Sequence, residues 1–178
     1  MAKSKVSIVG IERSESFRSI KEGVEKALDL IGGLRGLVKP GQKVLINPSW
    51  VAPPVEPGKG CITQVEVTEA VAEIVRELGA HPIIAESSAV GVNSQKIIDA
   101  SSYRNLIRKG YEVMDLRRAE IVKVPVSKGK VFKEIETYRV VREADLILPV
   151  PKLKAHDQTE ITCSIKKIRV SSRINTRS

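Results

Sequence analysis

The stretch Asp145-Leu-Ile-Leu-Pro-Val-Pro-Lys-Leu-Lys-Ala-His156 constrains the fold more than any other part of the chain. Residues 146–148 are an uninterrupted apolar run, too short for a helix and suited to a strand covered on both faces. Pro149 and Pro151 end it, because neither can donate to a ladder. Lys152, Lys154 and His156 then place two cations and an imidazole within five residues. Ile161, Ile165 and Ile168 follow at helical spacing, so the basic cluster is expected between a strand's carboxyl end and a helix start. Open α/β sheets bind ligands at that edge, and helix N-termini there favour anions.

The rest of the chain alternates in the same way. Residues 6–9 read as a first strand. Phe17, Ile20, Val24, Ala27, Leu28 and Ile31 recur at helical spacing behind Ser14 or Ser16 as N-cap, and Gly32-Gly33 closes that helix. After Pro40-Gly41, residues 43–47 form the second strand. The connection over 48–62 holds Pro48, Pro53, Pro54, Pro57, Gly58 and Gly60, which bar a helix or a central strand and suggest a binding loop or lid. Thr63-Gln-Val-Glu66 has the pattern of a capping box ahead of an apolar face (Val67, Val71, Ile74, Val75, Leu78) and a terminal Gly79.

Strands are expected near 82–86, 111–115 and 145–149, with one or two short helices over 94–109 directing Ile97, Ile98, Tyr103, Leu106 and Ile107 inward. Residues 121–126 and 131–135, around Gly129, suggest a peripheral hairpin, since Pro125 suits an edge. A helical turn is expected near 140–144. The predicted class is α/β: a mainly parallel sheet with helices on both faces and a hairpin at its periphery. Residues 1–168 read as a single domain and 169–178 as a basic, disordered tail.

Composition narrows the function. The 178 residues are 42% hydrophobic and 29% charged, ordinary for a globular protein. No apolar run has the length to span a bilayer, and the start lacks a signal-peptide core, which points to the cytoplasm and to no membrane partner. Cys61 and Cys163 form no Cys-x-x-Cys pair and cannot by themselves hold a structural zinc or an iron–sulfur cluster. The net charge is +9, but five of those charges come from Lys166, Lys167, Arg169, Arg173 and Arg177 at the end of the chain. The few aromatics are not interleaved with basic residues, so a nucleic-acid domain is not expected.

The candidate site gathers strand ends. Lys152 and Lys154 would neutralise an anionic ligand, His156 would serve as acid/base or metal ligand, and Glu86 would be the opposing carboxylate. Asn47, Ser49, Ser87 and Ser88 would add polar contacts, with Thr162 at the following helix start and Lys166 beyond it. The same residues also fit a solvated basic loop and an ordinary hydroxyl-rich turn.

Taken in order, Lys43-Val-Leu-Ile-Asn-Pro-Ser, Leu78-Gly79-Ala80, Glu86-Ser87-Ser88 and Pro151-Lys-Leu-Lys-Ala-His156 through Thr162 and Lys166 resemble the prokaryotic domain-of-unknown-function family numbered 362. The resemblance runs from the first strand to about Lys167, and Pro-Lys-x-Lys-x-His is its most specific segment. It implies a link to ferredoxin-like iron–sulfur modules and cofactor-linked chemistry, with the cofactor itself unspecified. The chain departs from the family pattern at Asn47 (usually lysine), Ser49 (usually asparagine), Lys167 (usually asparagine) and near Val170 (usually glycine). Family members also continue further, so a missing C-terminal segment is expected. Three functions fit: a domain binding a small anion, an accessory module docking an acidic iron–sulfur protein, or a truncated inactive member. Self-association is compatible with each.

Overall fold

The structure, a computed structural model, describes residues 5–12, 16–50, 62–88, 93–156, 160–162 and 172–173. Residues 51–61 of the long loop, Cys61, Cys163, Lys166, Lys167, Val170 and most of the basic tail lie outside them. The elements in chain order are α1 (Phe17–Asp29), β1 (Lys43–Pro48), α2 (Val65–Glu77), β2 (His81–Glu86), α3 (Ser94–Ala100), α4 (Tyr103–Arg108) and β3 (Glu112–Asp115). They continue with β4 (Ile121–Pro125), β5 (Glu134–Tyr138), α5 (Arg139–Glu143), β6 (Leu146–Val150), β7 (Lys154–His156), β8 (Glu160–Thr162) and β9 (Ser172–Arg173).

Four strands form the central sheet in the order β3-β2-β1-β6, all parallel, as the apolar runs predict. Alternation along β1 divides two cores. Val44 and Ile46 face a large core with Trp50, Val71, Val75, Ile84, Ile97 and Tyr103. Leu45 faces a smaller one with Ile83, Ala85, Leu116 and Tyr138, covered by Val140 and Val141 of α5. Both faces of β1 and β2 are thus apolar, which is why they read as continuous rather than alternating runs. β6, expected to be covered on both faces, is an edge strand that packs Leu146, Leu148 and Val150 on the large core and leaves Ile147 exposed.

The connections set the geometry of the edge. β1 passes to β2 through α2, and β2 to β3 through α3 and α4, which send Val71, Val75, Ile97, Ile98, Tyr103 and Leu106 into the large core. The chain then returns through the hairpin and α5, on the other face, to place β6 beside β1. The connections therefore change face between β1 and β6, which makes their carboxyl ends the topological switch point.

Local signals account for most boundaries. Ser16 caps α1 by accepting from the Ser19 amide at 3.4 Å. Gly79 sits at φ 78° after α2, a left-handed conformation that favours glycine, and its Cβ position lies 3.2 Å from Pro40. α1 lies on α2, with Lys21 Nζ bound to Glu73 at 3.1 Å and to Glu77 at 2.5 Å.

Several expectations are corrected. Residues 6–9 form no strand. They lie along α1, where Ser7 Oγ donates to Ala27 O at 2.6 Å and Ile11 covers Gly23, while Val6 and Ile8 stay 84% and 91% exposed. With one residue in two facing the helix and the others facing solvent, this run lacks the two-sided apolar character the sheet requires. Ile107 is exposed rather than inward. The second hairpin strand starts at Glu134, because Val131 and Phe132 belong to the turn. The helix expected after the basic cluster is absent at its start: Glu160–Thr162 pair antiparallel with Lys154–His156, with Lys154 opposite Thr162 and His156 opposite Glu160. Ile161 is β-branched and flanked by polar residues, a local pattern a strand accepts equally well. Within the stretch read as a tail, Ser172 and Arg173 pair with Thr137 and Glu136 of β5.

Candidate functional site

At the switch point, β1 and β6 are in register with Asn47 opposite Pro149 and Pro48 opposite Val150. The chain leaves β1 through Ser49 and Trp50 and leaves β6 through Pro151 and Lys152. Three polar contacts clasp these exits. The Ser49 amide donates to Thr63 Oγ1 at 2.9 Å, the Thr63 hydroxyl donates to Val150 O at 2.7 Å, and the Lys152 amide donates to Ser49 Oγ at 3.2 Å. The Thr63 amide also donates to Ser49 O at 3.0 Å, and Trp50 bridges to Ile62, which closes the base of the long loop.

Thr63 is therefore not a helix cap. Gln64 occupies the N-cap of α2 without a side-chain bond, because the Thr63 hydroxyl is committed to the clasp. Below it, the Tyr103 hydroxyl donates to Thr63 O at 3.0 Å, lies 2.7 Å from Thr68 Oγ1, and meets Trp50 edge-on with ring centroids 5.1 Å apart. Burial holds the Tyr103 phenol well above its ordinary pKa, so it stays neutral.

Asn47 is buried, and its Nδ2 donates to Ala85 O of β2 at 2.7 Å. It and Ser49 hold strands and loops together at the edge. Glu86 is buried at the end of β2, and its Oε1 accepts the Ser87 amide at 2.8 Å. It pairs in register with Asp115, a second buried carboxylate at the end of β3. Arg117 reaches across from the helical turn Leu116–Arg118 that follows β3, its Nη2 donating to Ser88 O at 2.5 Å. Ser88 is buried, and its amide donates to Ser94 Oγ at 3.2 Å.

The structure thus brings Asn47, Ser49, Glu86, Ser87, Ser88 and Lys152 to one edge of one sheet. Lys154, His156 and Thr162 belong to the β7–β8 hairpin, which begins four residues after β6 ends. Lys166 lies outside the described residues. Reading the sequence missed Thr63, Tyr103, Asp115 and Arg117. Asp115 was findable, since it ends a strand as Glu86 does; Thr63 and Tyr103 were not, because their partners are remote in sequence. Among the described residues, no three His, Cys, Asp or Glu side chains gather to hold a metal ion, and no helix is long and apolar enough to cross a membrane.

Chemically, the edge offers two buried carboxylates, Glu86 and Asp115, with Arg117 on the β2–β3 side and Lys152 on the β6 side. Comparison with known proteins adds two findings. The chain is 28% identical over 166 residues to the thylakoid-associated protein sll1697 of Synechocystis sp., a match covering 92% of this chain and 50% of that protein, so it spans about half the length of the curated relative. The family described as Domain of unknown function (DUF362) matches over residues 44–172, from the core of β1 into β9 and across every element of the clasped edge. By that match the chain belongs to the DUF362 family.

Proposed function

We propose that this domain is a cytoplasmic module that binds an anionic small molecule or cofactor at the switch point between β1 and β6, in redox- or iron–sulfur-linked chemistry. The observation that carries the reading is the reversal of connectivity at β1 and β6, where the two chain exits are clasped through Ser49, Thr63 and Lys152. Crevices of this kind bind ligands because loops diverge on either side of them. Lys152 and Lys154 would supply the positive charge, His156 a group that titrates near neutrality, and Glu86 an opposing carboxylate. The test is calorimetric titration with inorganic phosphate, pyrophosphate and citrate. Saturable binding by the native chain, weakened in Lys152→Ala and Lys154→Ala, supports the reading; identical isotherms in native and variant proteins would sink it.

A second reading is supported by the net charge of +9: a non-catalytic module that docks an acidic iron–sulfur protein by electrostatic complementarity. Binding to such a protein, with no response to small anions and a steep loss with salt, would favour it.

A further inference from the structure

The β4–β5 hairpin is rooted at one end and free at the other. Tyr138 and Thr137 are buried at the root, Glu136 and Ile135 are half-buried, and Glu134 is exposed, so the ribbon leaves the body of the protein as it approaches its turn. The turn reads Val126-Ser-Lys-Gly-Lys-Val-Phe-Lys133 and contains three lysines and no acid. Val131 in this turn is 82% exposed and Phe132 44% exposed, and Lys128, Lys130 and Lys133, their neighbours in sequence, are exposed as well.

This turn has a definite conformation. The Val126 amide donates to Lys133 O at 2.8 Å, the Gly129 amide to Val126 O at 2.9 Å, and Lys133 Nζ to Gly129 O at 3.1 Å. A Cβ on Gly129 would overlap the backbone oxygen of Phe132, so only glycine lets the two limbs close. The fold thus orders a loop whose effect is to hold two apolar side chains in water amid cations. Isolated exposed hydrophobics are ordinary, but an apolar pair at the tip of a projecting basic ribbon is a different case.

We infer that the 126–133 turn docks this domain onto an anionic lipid surface, with Val131 and Phe132 entering the interface and the lysines meeting the headgroups. Charge complementarity selects the occupant: each lysine near an anionic bilayer strengthens binding by about fivefold, and the apolar pair adds burial that an anion alone could not use. A protein partner is disfavoured because an eight-residue convex tip cannot approach the roughly 800 Å² per partner that specific interfaces bury. Surface contact of this kind requires no spanning helix. It is separate from the switch point and does not depend on what binds there.

The experiment is co-sedimentation of the purified chain with phosphatidylcholine vesicles, with and without phosphatidylglycerol. The native chain should pellet only with the anionic vesicles and be released by salt. A Val131→Ser/Phe132→Ser double variant should lose about tenfold or more in partitioning, and Lys128→Glu/Lys130→Glu should lose more, each with unchanged circular dichroism. Phe132→Trp gives an independent reading: its fluorescence should move to the blue when phosphatidylglycerol vesicles are added. Absence of pelleting by the native chain, or variants that pellet as it does, would overturn the inference. Retention on polyglutamate resin that depends on Val131 and Phe132, without vesicle binding, would overturn it in favour of an acidic protein.

Discussion

The Thr63 hydroxyl donates to the carbonyl of Val150 across 87 positions of sequence, at 2.7 Å, while accepting the Ser49 amide. One side chain thereby satisfies the exit of β1 and the end of β6 at once. Thr63→Val keeps the volume but leaves a buried amide and a part-buried carbonyl without this partner. The expected cost is about 2–3 kcal/mol, a fall in Tm of roughly 5–10 °C for a chain of this size. Thr63→Ser should recover most of it. Urea denaturation of the two variants is the measurement, and equal stability of Thr63→Val and the native chain would remove the clasp from the account.

Tyr103 makes an alkaline prediction. Burial raises its folded pKa above the ordinary tyrosine value of about 10. Below that value both states hold the proton, and stability is unaffected. Above it the unfolded chain releases the proton while the folded chain keeps it, so stability declines by about 1.4 kcal/mol per pH unit until the folded pKa is reached. Lys21 and Lys109 are raised too, by their bonds to Glu77 and Glu69, and add loss of the same sign. Tyr103→Phe should be less stable at neutral pH, having lost its bonds to Thr63 and Thr68, yet show a shallower decline between about pH 10 and 12. Parallel slopes for the two proteins would contradict this.

The sequence revealed the sheet and obscured its fastenings. β1 and β2 were readable because strands buried on both faces carry runs such as Val44-Leu-Ile46. β6 carries a similar apolar run although it lies at the sheet's edge and covers only one face. Residues 6–9 have similar composition, but Val6 and Ile8 face solvent, and no local signal distinguishes a strand from an extended segment lying on a helix. Thr63 shows the converse. Thr-x-x-Glu is a sound local capping pattern, overridden here because a strand end 87 residues away offered the hydroxyl a better partner. The strand-end residues of the site were legible for a topological reason: parallel strands bring their carboxyl ends to one edge whatever their separation in sequence. The hairpin at Lys154–Thr162 was not, since three residues per strand carry no periodicity.

Gly129 tests the order of the hairpin turn. Gly129→Ala places a methyl against Phe132 O, which is backbone and cannot rotate away, so the turn must open. Because no residue of the turn belongs to either core, the global cost should be modest, about 1–2 kcal/mol. Hydrogen exchange should show the Val126 and Gly129 amides losing protection while β1 and β2 keep theirs. Loss of protection throughout the sheet would mean the hairpin is integral to the core.

The last prediction separates fastening from binding at the β1–β6 edge. Asn47 is buried and tied to Ala85 O, whereas Lys152 contributes its amide to the clasp and leaves its side chain for other work. Asn47→Ala should cost about 1–2 kcal/mol, because the Ala85 carbonyl loses its donor in a buried setting. If the edge binds anions as proposed, that variant should keep its affinity for phosphate or pyrophosphate within a few fold. Lys152→Ala should do the reverse, leaving stability within about 0.5 kcal/mol of native while lowering anion affinity by about tenfold, as loss of one charge-assisted contact implies. The pair of measurements, urea denaturation and calorimetric titration on the same preparations, makes the contrast. Should Asn47→Ala abolish binding at unchanged stability, the amide itself touches the ligand; should Lys152→Ala alter neither quantity, the anion does not sit at this edge.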